Sequence, residues 1–271
     1  KTMLENVRAK TPLVHNITNY VTVNDVANVL LAAGGSPIMS DDADDVEDIT
    51  SICGGLNINI GTLNKNTIPS MFLAGKKANE LGHIVLLDPV GAGASRLRTD
   101  TANRLMQEVR FDAVRGNISE IKTLCTGSGS TKGVDADAVD AVTEANLDDG
   151  VQLVKTFAQR AGCIVAVTGA IDLVSDGERC WCIRNGRAEM SRITGTGCQL
   201  SALMTAFLVA NPDHKLDAAA AAVCMMGLAG EIGWANMQPG DGNSTYRNRI
   251  IDAIFNMTGD ALEKGAKYEL R

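Results

Sequence analysis

Two glycines and a cysteine stand directly before an apolar segment in the second half of the chain. The order is Gly195, Thr196, Gly197 and Cys198, and residues 200–210 are mostly apolar. Glycine lets the backbone approach a ligand closely, and the unpaired first N–H groups of a helix, at the positive end of its dipole, attract an anion. A helix start can also lower the pKa of Cys198, so that its thiol accepts a proton or acts as a nucleophile. The pattern indicates a phosphate site. The alternatives are a loop that only starts a packed helix and a thiol that only fills space.

Two carboxylates could hold a divalent cation. Asp88 follows a predicted strand in the segment 88–93 (DPVGAG), and Glu120 lies three residues after Asn117. Carboxylates at a strand end can hold Mg²⁺, often through water. The alternatives are a turn-initiating aspartate before Pro89 and a helix capping box formed by Asn117 and Glu120.

Polar residues also follow the other predicted strands, where parallel sheets bind their ligands. They are Asn16, Gly61, Asp88, Arg115 and Thr168. Arg115 fits either a phosphate clamp, through its planar guanidinium, or an ordinary surface ion pair. The phosphate-binding motif of P-loop proteins is absent, and the glycine-rich segments 91–96 and 127–132 fail the dinucleotide fingerprint at its sixth position.

These residues are positioned by an alternation of short apolar runs and helical stretches. Strands are predicted at 13–16, 56–60, 84–87, 113–115 and 163–168, with a hairpin of strands 171–175 and 179–183 across Asp176 and Gly177. Helices are predicted at 22–33, 68–81, 101–109, after Asn117 and at 147–161, and the chain from residue 197 onward is expected to be mostly helical. The acidic run 41–48 suggests a solvated helix N-terminus, and residues 127–133 suggest a flexible insertion. The alternation predicts a mainly parallel α/β sheet with helices on both faces.

Composition narrows the class of protein further. The chain has 271 residues and a net charge of −7, which disfavours broad attraction to nucleic acid or an anionic membrane. Seven cysteines lie scattered in apolar stretches with no secretory signal before them, and the uncharged run 218–230 is too short to cross a bilayer. No linker or repeat divides the chain. We therefore expect one cytoplasmic domain over residues 1–271.

Seven ordered segments together resemble the hydroxyethylthiazole kinase family of the ribokinase-like superfamily. They are 14–19 (VHNITN), 36–40 (SPIMS), 57–63 (NINIGTL), 88–93 (DPVGAG), 115–121 (RGNISEI), 167–169 (VTG) and 195–198 (GTGC). One departure is the turn 239–245, which is longer than the family pattern suggests. The resemblance implies a three-layer ribokinase-like fold. It also implies phosphorylation of the hydroxyl of 4-methyl-5-(2-hydroxyethyl)thiazole by ATP with Mg²⁺, a salvage step toward thiamine.

The same resemblance implies roles for individual residues and a homotrimer whose thiazole sites lie between neighbouring subunits. Cys198 stands where most ribokinase-like enzymes carry the aspartate base, and we expect it mainly to orient the hydroxyl. The implied contacts are Arg115, Thr168, Asn117 and Gly197 at ATP, Asp88 and Glu120 at Mg²⁺, and Met39, Gly195, Asn19 and Gly61 at the thiazole.

Two other functions stay open at this point. One is a ribokinase-like kinase for another small alcohol, such as a hydroxymethylpyrimidine or a sugar, although Ile38 and Met39 suggest an apolar pocket of aromatic size. The other is a non-catalytic nucleotide-binding or thiol-sensing protein, in which Cys198 would be an oxidisable switch.

Overall fold

The computed structural model describes residues 1–127 and 141–271, and within these ranges nine strands form one sheet. The strands are β1 (Leu13–Ile17), β2 (Ser36–Met39), β3 (Gly55–Asn59), β4 (Ile84–Asp88), β5 (Ala113–Asn117), β6 (Ile164–Thr168), β7 (Asp172–Ser175), β8 (Cys180–Ile183) and β9 (Tyr268–Leu270). Their spatial order is β2-β1-β3-β4-β5-β6-β7-β8-β9. The pairs from β2 to β6 are parallel, and those from β6 to β9 are antiparallel. The predicted parallel sheet and its hairpin are confirmed.

The α-helices of the described residues cover both faces of this sheet. They are α1 (Thr2–Lys10), α2 (Val23–Ala33), α3 (Val46–Ile52), α4 (Thr67–Leu81), α5 (Arg96–Glu108), α6 (Ile118–Gly127), α7 (Leu147–Ala161), α8 (Thr196–Ala210), α9 (Lys215–Ala235), α10 (Asn243–Asn256) and α11 (Gly259–Gly265). Consecutive residues of β4 enter different cores: Val85 and Leu87 pack with α4 and α5, while Leu86 packs with α8 and α9. This is the period-two alternation of a strand buried on both faces, and it produces three layers.

Several boundaries differ from the sequence prediction. The helix predicted at 101–109 begins five residues earlier, at Arg96, because the Ser95 hydroxyl caps it by accepting the Arg98 amide at 3.3 Å. The chain from residue 197 onward is mostly helical, as predicted, and it ends in the short strand β9, which pairs with β8. The acidic run does precede a helix, α3. The predicted insertion 127–133 lies, after Gly127, outside the described residues.

Helix α9 corrects the expectation drawn from the uncharged run 218–230. Together with the turn before it, the segment Pro212–Ala235 is long and apolar enough to cross a membrane by length and composition. However, 72% of its most apolar stretch of 18 residues is buried inside the molecule, and the helix packs against α8, α10 and the strands β6 to β8. Its apolar character is therefore that of a core helix.

Candidate active site

Four neighbouring parallel strands present polar side chains at one edge of the sheet. Asn59 ends β3, Asp88 ends β4 and Thr168 ends β6, while Arg115 projects from β5. The register places Asn59 beside Asp88 and Asn117 beside Thr168. The start of α8 adjoins the same edge, because the nearest atoms to Gly197 belong to the Arg115 guanidinium. Three of the strand-end residues predicted from the sequence, Asp88, Arg115 and Thr168, thus meet the predicted glycine loop in one place, whereas Asn16 lies within β1 and contacts Asn57.

The centre of the site is a buried ion pair. An Arg115 Nη atom donates to Oδ2 of Asp88 at 2.6 Å, and neither residue is more than 5% exposed. Arg115 also donates to the hydroxyls of Ser201, at 2.9 Å, and Thr168, at 3.2 Å. The interpretation of Arg115 as a surface ion pair is wrong. The hydrogen bonds of its guanidinium thus connect α8 to β4 and β6. This rigid arrangement suits a group that must stay charged.

The two charges of this pair affect each other. Burial opposes the charge on Arg115, but the Asp88 carboxylate holds the pKa of the guanidinium above its ordinary value. Burial raises the pKa of Asp88, while Arg115 and the Ser201 hydroxyl act in the opposite direction. The pair therefore places a fixed cation and an acceptor side by side where water is excluded.

Asp88 also offers a free ligand atom. Its Oδ2 accepts hydrogen bonds from Arg115, Ser201 and Asn59, but its buried Oδ1 has no partner among the described residues. A buried carboxylate oxygen without a partner fits a hard cation such as Mg²⁺, which binds one or two carboxylates and completes its shell with water and phosphate oxygens.

Glu120, the second predicted metal ligand, is engaged by backbone amides. It accepts the N–H groups of Asn117 and Gly91, each at 2.9 Å, and the Asn117 side chain accepts the Glu120 amide at 2.9 Å. The capping box read from the sequence is thus present. Because both carboxylate oxygens already accept a hydrogen bond, Glu120 suits a cation held through water.

Close contacts at the start of α8 require glycine at positions 195 and 197. Gly195 has φ of +84°, and a Cβ there would lie 2.1 Å from the Thr22 side chain. A Cβ on Gly197 would lie 2.7 Å from an Arg115 nitrogen. The first hydrogen bond of the helix runs from Gln199 N–H to the Gly195 carbonyl at 2.9 Å, so the three amides before Gln199 are left for a ligand. The loop is built as an anion site next to a buried arginine.

The Cys198 thiol lies at this helix start and is buried. Asn19 donates to its Sγ at 3.2 Å. The lowered pKa expected from the helix start is not found, because burial raises the pKa of Cys198 and the Asp88 carboxylate acts in the same direction. The Arg115 charge and hydrogen bonds from Asn59 and Asn19 oppose this rise without cancelling it. At neutral pH the group is a protonated thiol, suited to hydrogen bonding more than to taking a proton.

The residues predicted to contact a thiazole surround this thiol. Met39, at the end of β2, packs on a small apolar cluster that contains Cys198. Asn19 donates to Asn59 at 3.0 Å, and Gly61 lies so close to Asn19 that a Cβ would be 2.9 Å from its side-chain nitrogen. One apolar and one amide wall thus adjoin the thiol.

A cavity of about 800 Å³ adjoins the α8 start. The predicted nucleotide residues Asn117, Thr168 and Gly197 line it, together with apolar side chains such as Met190 and Met226. This volume lies within the range of about 300–1,000 Å³ of small-molecule sites. The predicted nucleotide residues therefore line the cavity, whereas the predicted thiazole residues Met39 and Asn19 lie around Cys198.

Three residues of this site were not predicted from the sequence. Asn59 stands at a strand end as Asp88 does, and Ser201 is one turn after Gly197 in a mostly apolar helix, so both carried a weak signal. Asp172, which lines the cavity, begins the strand after Thr168, and it carried no signal in the sequence beyond its charge.

The fold and this site define the class first. A mainly parallel sheet whose strand ends face a glycine loop at a helix start is the ribokinase-like α/β arrangement. A Staphylococcus aureus pyridoxal kinase, solved in complex with AMP-PCP and pyridoxal, has the same fold, with a TM-score of 0.62 at 14% identity, covering 96% of this chain and 98% of that chain.

Closer similarities then define the family. The profile of the hydroxyethylthiazole kinase family matches residues 4–260. The chain is 57% identical over 269 residues to hydroxyethylthiazole kinase of Clostridium acetobutylicum, covering 99% of this chain and 98% of that protein. The structure of hydroxyethylthiazole kinase protein from Pyrococcus horikoshii has a TM-score of 0.88 at 33% identity, covering 100% of this chain and 98% of that chain. The chain belongs to the hydroxyethylthiazole kinase family.

Proposed function

We propose that this protein transfers the γ-phosphoryl group of ATP to the hydroxyl of 4-methyl-5-(2-hydroxyethyl)thiazole, a salvage step toward thiamine. The observation that carries the proposal is the α8 start, where free backbone amides lie beside Arg115, which is paired with Asp88, and Gly197 lines the cavity. Phosphoryl transfer depends mainly on positioning and on neutralising charge, and this arrangement supplies both. Full-length similarity to proteins named for this activity supports the choice of substrate.

The chain's own residues have separate tasks in this reaction. The amides before Gln199 hold the migrating phosphoryl group, and Arg115 and Thr168 contact the nucleotide phosphates. Cys198 and Asn19 orient the alcohol against the loop. A strong base is not required, because in a loose transition state the alcohol loses its proton late. Met39 and Gly195 line the thiazole pocket, and Gly61 forms its wall.

Mg²⁺ is part of the proposal. Asp88 would hold it through its unpartnered Oδ1, and Glu120 would hold it through water. When bound, the ion would neutralise the negative charge of the nucleotide phosphates.

We further propose a cytoplasmic homotrimer, built from one domain per chain, with its thiazole sites between subunits. Directly after Asn19, the Tyr20 and Val21 side chains are 63% and 64% exposed. This apolar surface follows the residue that contacts the Cys198 thiol, and a second subunit would cover it there. The sheet is continuous from β2 to β9, which supports one domain. All seven cysteines lie in the described part of the chain, and none forms a disulfide there, which supports a reducing compartment.

The test is a panel of alcohols with ATP and Mg²⁺, followed by coupled ADP release. We expect turnover with the thiazole alcohol, far slower turnover with a hydroxymethylpyrimidine, pyridoxal or ribose, and none with Asp88→Asn. Preference for the pyrimidine would establish the other kinase function. Nucleotide binding without turnover of any alcohol would favour the thiol-sensing function.

A further inference from the structure

A carboxylate outside the predicted site lines the cavity. Asp172 begins β7 and lines the same cavity as Thr168 and Gly197. Its Oδ1 accepts the Gly169 amide at 2.8 Å, which fixes the orientation of the carboxylate. No hydrogen bond from a described residue reaches its Oδ2. The packing around the carboxyl raises the pKa of Asp172 to about 7. The residue is half-buried at the cavity wall, so the oxygen left over is free to accept a hydrogen bond from a ligand in the cavity.

The surroundings of Asp172 show which part of a ligand would meet it. On one side it lies near the anion-binding end, since the Arg115 charge lowers its pKa in opposition to burial. On the other side its charge acts on Cys224, whose neighbours Val223 and Met226 line the cavity wall. With Met190, these side chains make that wall apolar and suited to a flat base.

A nucleotide carries chemical groups that match these parts of the cavity in the same order: phosphates, then a sugar with hydroxyl donors, then a flat base. If its phosphates lie at the α8 amides and its base at the apolar wall, the sugar lies between these two parts of the cavity. The sugar hydroxyls are then the donors nearest to Oδ2 of Asp172. A carboxylate is the acceptor that binds such hydroxyls in other nucleotide sites.

We propose that Asp172 accepts a hydrogen bond from a ribose hydroxyl of the nucleotide, and so makes this kinase select ribonucleotides over deoxyribonucleotides. This inference rests on the proposed function, because it takes ATP as the phosphoryl donor. Asp172 is then a specificity-determining residue. It makes no contact with the phosphoryl group that is transferred.

The test compares ATP with 2′-deoxy-ATP and 3′-deoxy-ATP as phosphoryl donors. In the unsubstituted protein we expect kcat/KM to fall about tenfold or more for at least one deoxy analogue, because the lost hydrogen bond involves a charged acceptor. In Asp172→Asn, whose amide oxygen can still accept the Gly169 amide, we expect ATP and that analogue to differ by about threefold or less. The matched control is Glu178→Gln, an exposed carboxylate of the same hairpin, which should keep the full discrimination.

Equal kcat/KM values for ATP and both deoxy analogues in the unsubstituted protein would overturn the proposal, whatever the variant does. So would undiminished discrimination in a folded Asp172→Asn. Calorimetric titration of ADP against 2′-deoxy-ADP and 3′-deoxy-ADP, without alcohol, separates this inference from the function on which it rests. A protein that turns over no alcohol yet discriminates in binding would refute the kinase reaction and retain the ribose contact.

Discussion

The contact between Gly197 and Arg115 makes a quantitative prediction. In Gly197→Ala, the new Cβ would lie 2.7 Å and 3.0 Å from the two Nη atoms of Arg115, so the guanidinium must retreat by several tenths of an ångström. The bond to Thr168, already 3.2 Å long, is the first to be lost, and the bond to Asp88 lengthens from 2.6 Å. A hydrogen bond from a charged group contributes about 1.5–3 kcal/mol, and alanine gains about 1 kcal/mol over glycine in a helix interior. We expect a net loss of about 1–2 kcal/mol in the free energy of unfolding.

The activity of Gly197→Ala should fall by more than its stability suggests. The methyl group occupies the space beside the amides that would hold the phosphoryl group, and Arg115 is displaced from the same place. We expect kcat/KM for the thiazole alcohol to fall about 10- to 100-fold, which corresponds to about 1.4–2.8 kcal/mol of transition-state stabilisation. Coupled ADP release measures the activity, and urea unfolding followed by circular dichroism measures the stability.

Gly242→Ala is the matched control, because nothing lies within 4 Å of a Cβ at that position. The variant should keep its activity within about twofold and its stability within about 1 kcal/mol, since Gly242 precedes α10 as its N-cap and provides only a weak cap. If Gly197→Ala is folded and as active as this control, then the close packing of the loop on Arg115 is not what organises the site, and our reasoning is refuted.

Three further predictions follow from the site. Cys198→Ala should lower kcat by less than about 10⁴-fold, because a protonated thiol only orients the alcohol, and Cys198→Asp should stay active; a dead Asp variant would contradict the assignment of this position. Arg115→Lys should lose about 2 kcal/mol in the free energy of unfolding by urea, because one ammonium cannot replace the three hydrogen bonds of the guanidinium. The control Arg104→Lys changes an exposed residue paired with Glu108 and should stay within about 0.5 kcal/mol; equal losses in the two variants would argue against the role of these hydrogen bonds. Between pH 4 and pH 7 the stability of the unsubstituted protein should fall relative to Asp172→Asn. The Asp172 carboxyl, with a pKa of about 7 when folded and about 4 when unfolded, binds more protons in the folded state as the pH rises through this range; parallel pH profiles of the two proteins would show that folding does not raise this pKa.

The elements that hold the site could be predicted from the sequence because their signals are local. Apolar runs ending in Asp88 and Thr168 marked strand ends, and the spacing of Asn117 and Glu120 marked a helix cap whose hydrogen bonds are present. Glycine at 195 and 197 marked a helix start that tolerates no side chain. Each of these depends on backbone geometry within a few residues, so neighbouring residue types were enough to indicate it.

What the tertiary structure alone decided is the state of the charged and titratable groups. Arg115 could not be distinguished from a surface residue, because its partners Asp88 and Ser201 are 27 and 86 residues away along the chain. The helix start suggested a lowered pKa for Cys198, but desolvation by surrounding side chains raises it. Asp172 gained its place in the cavity from a strand and a helix distant in sequence. Burial and charge pairing act through space, and desolvation depends on everything packed around a group, so only the assembled fold determines them.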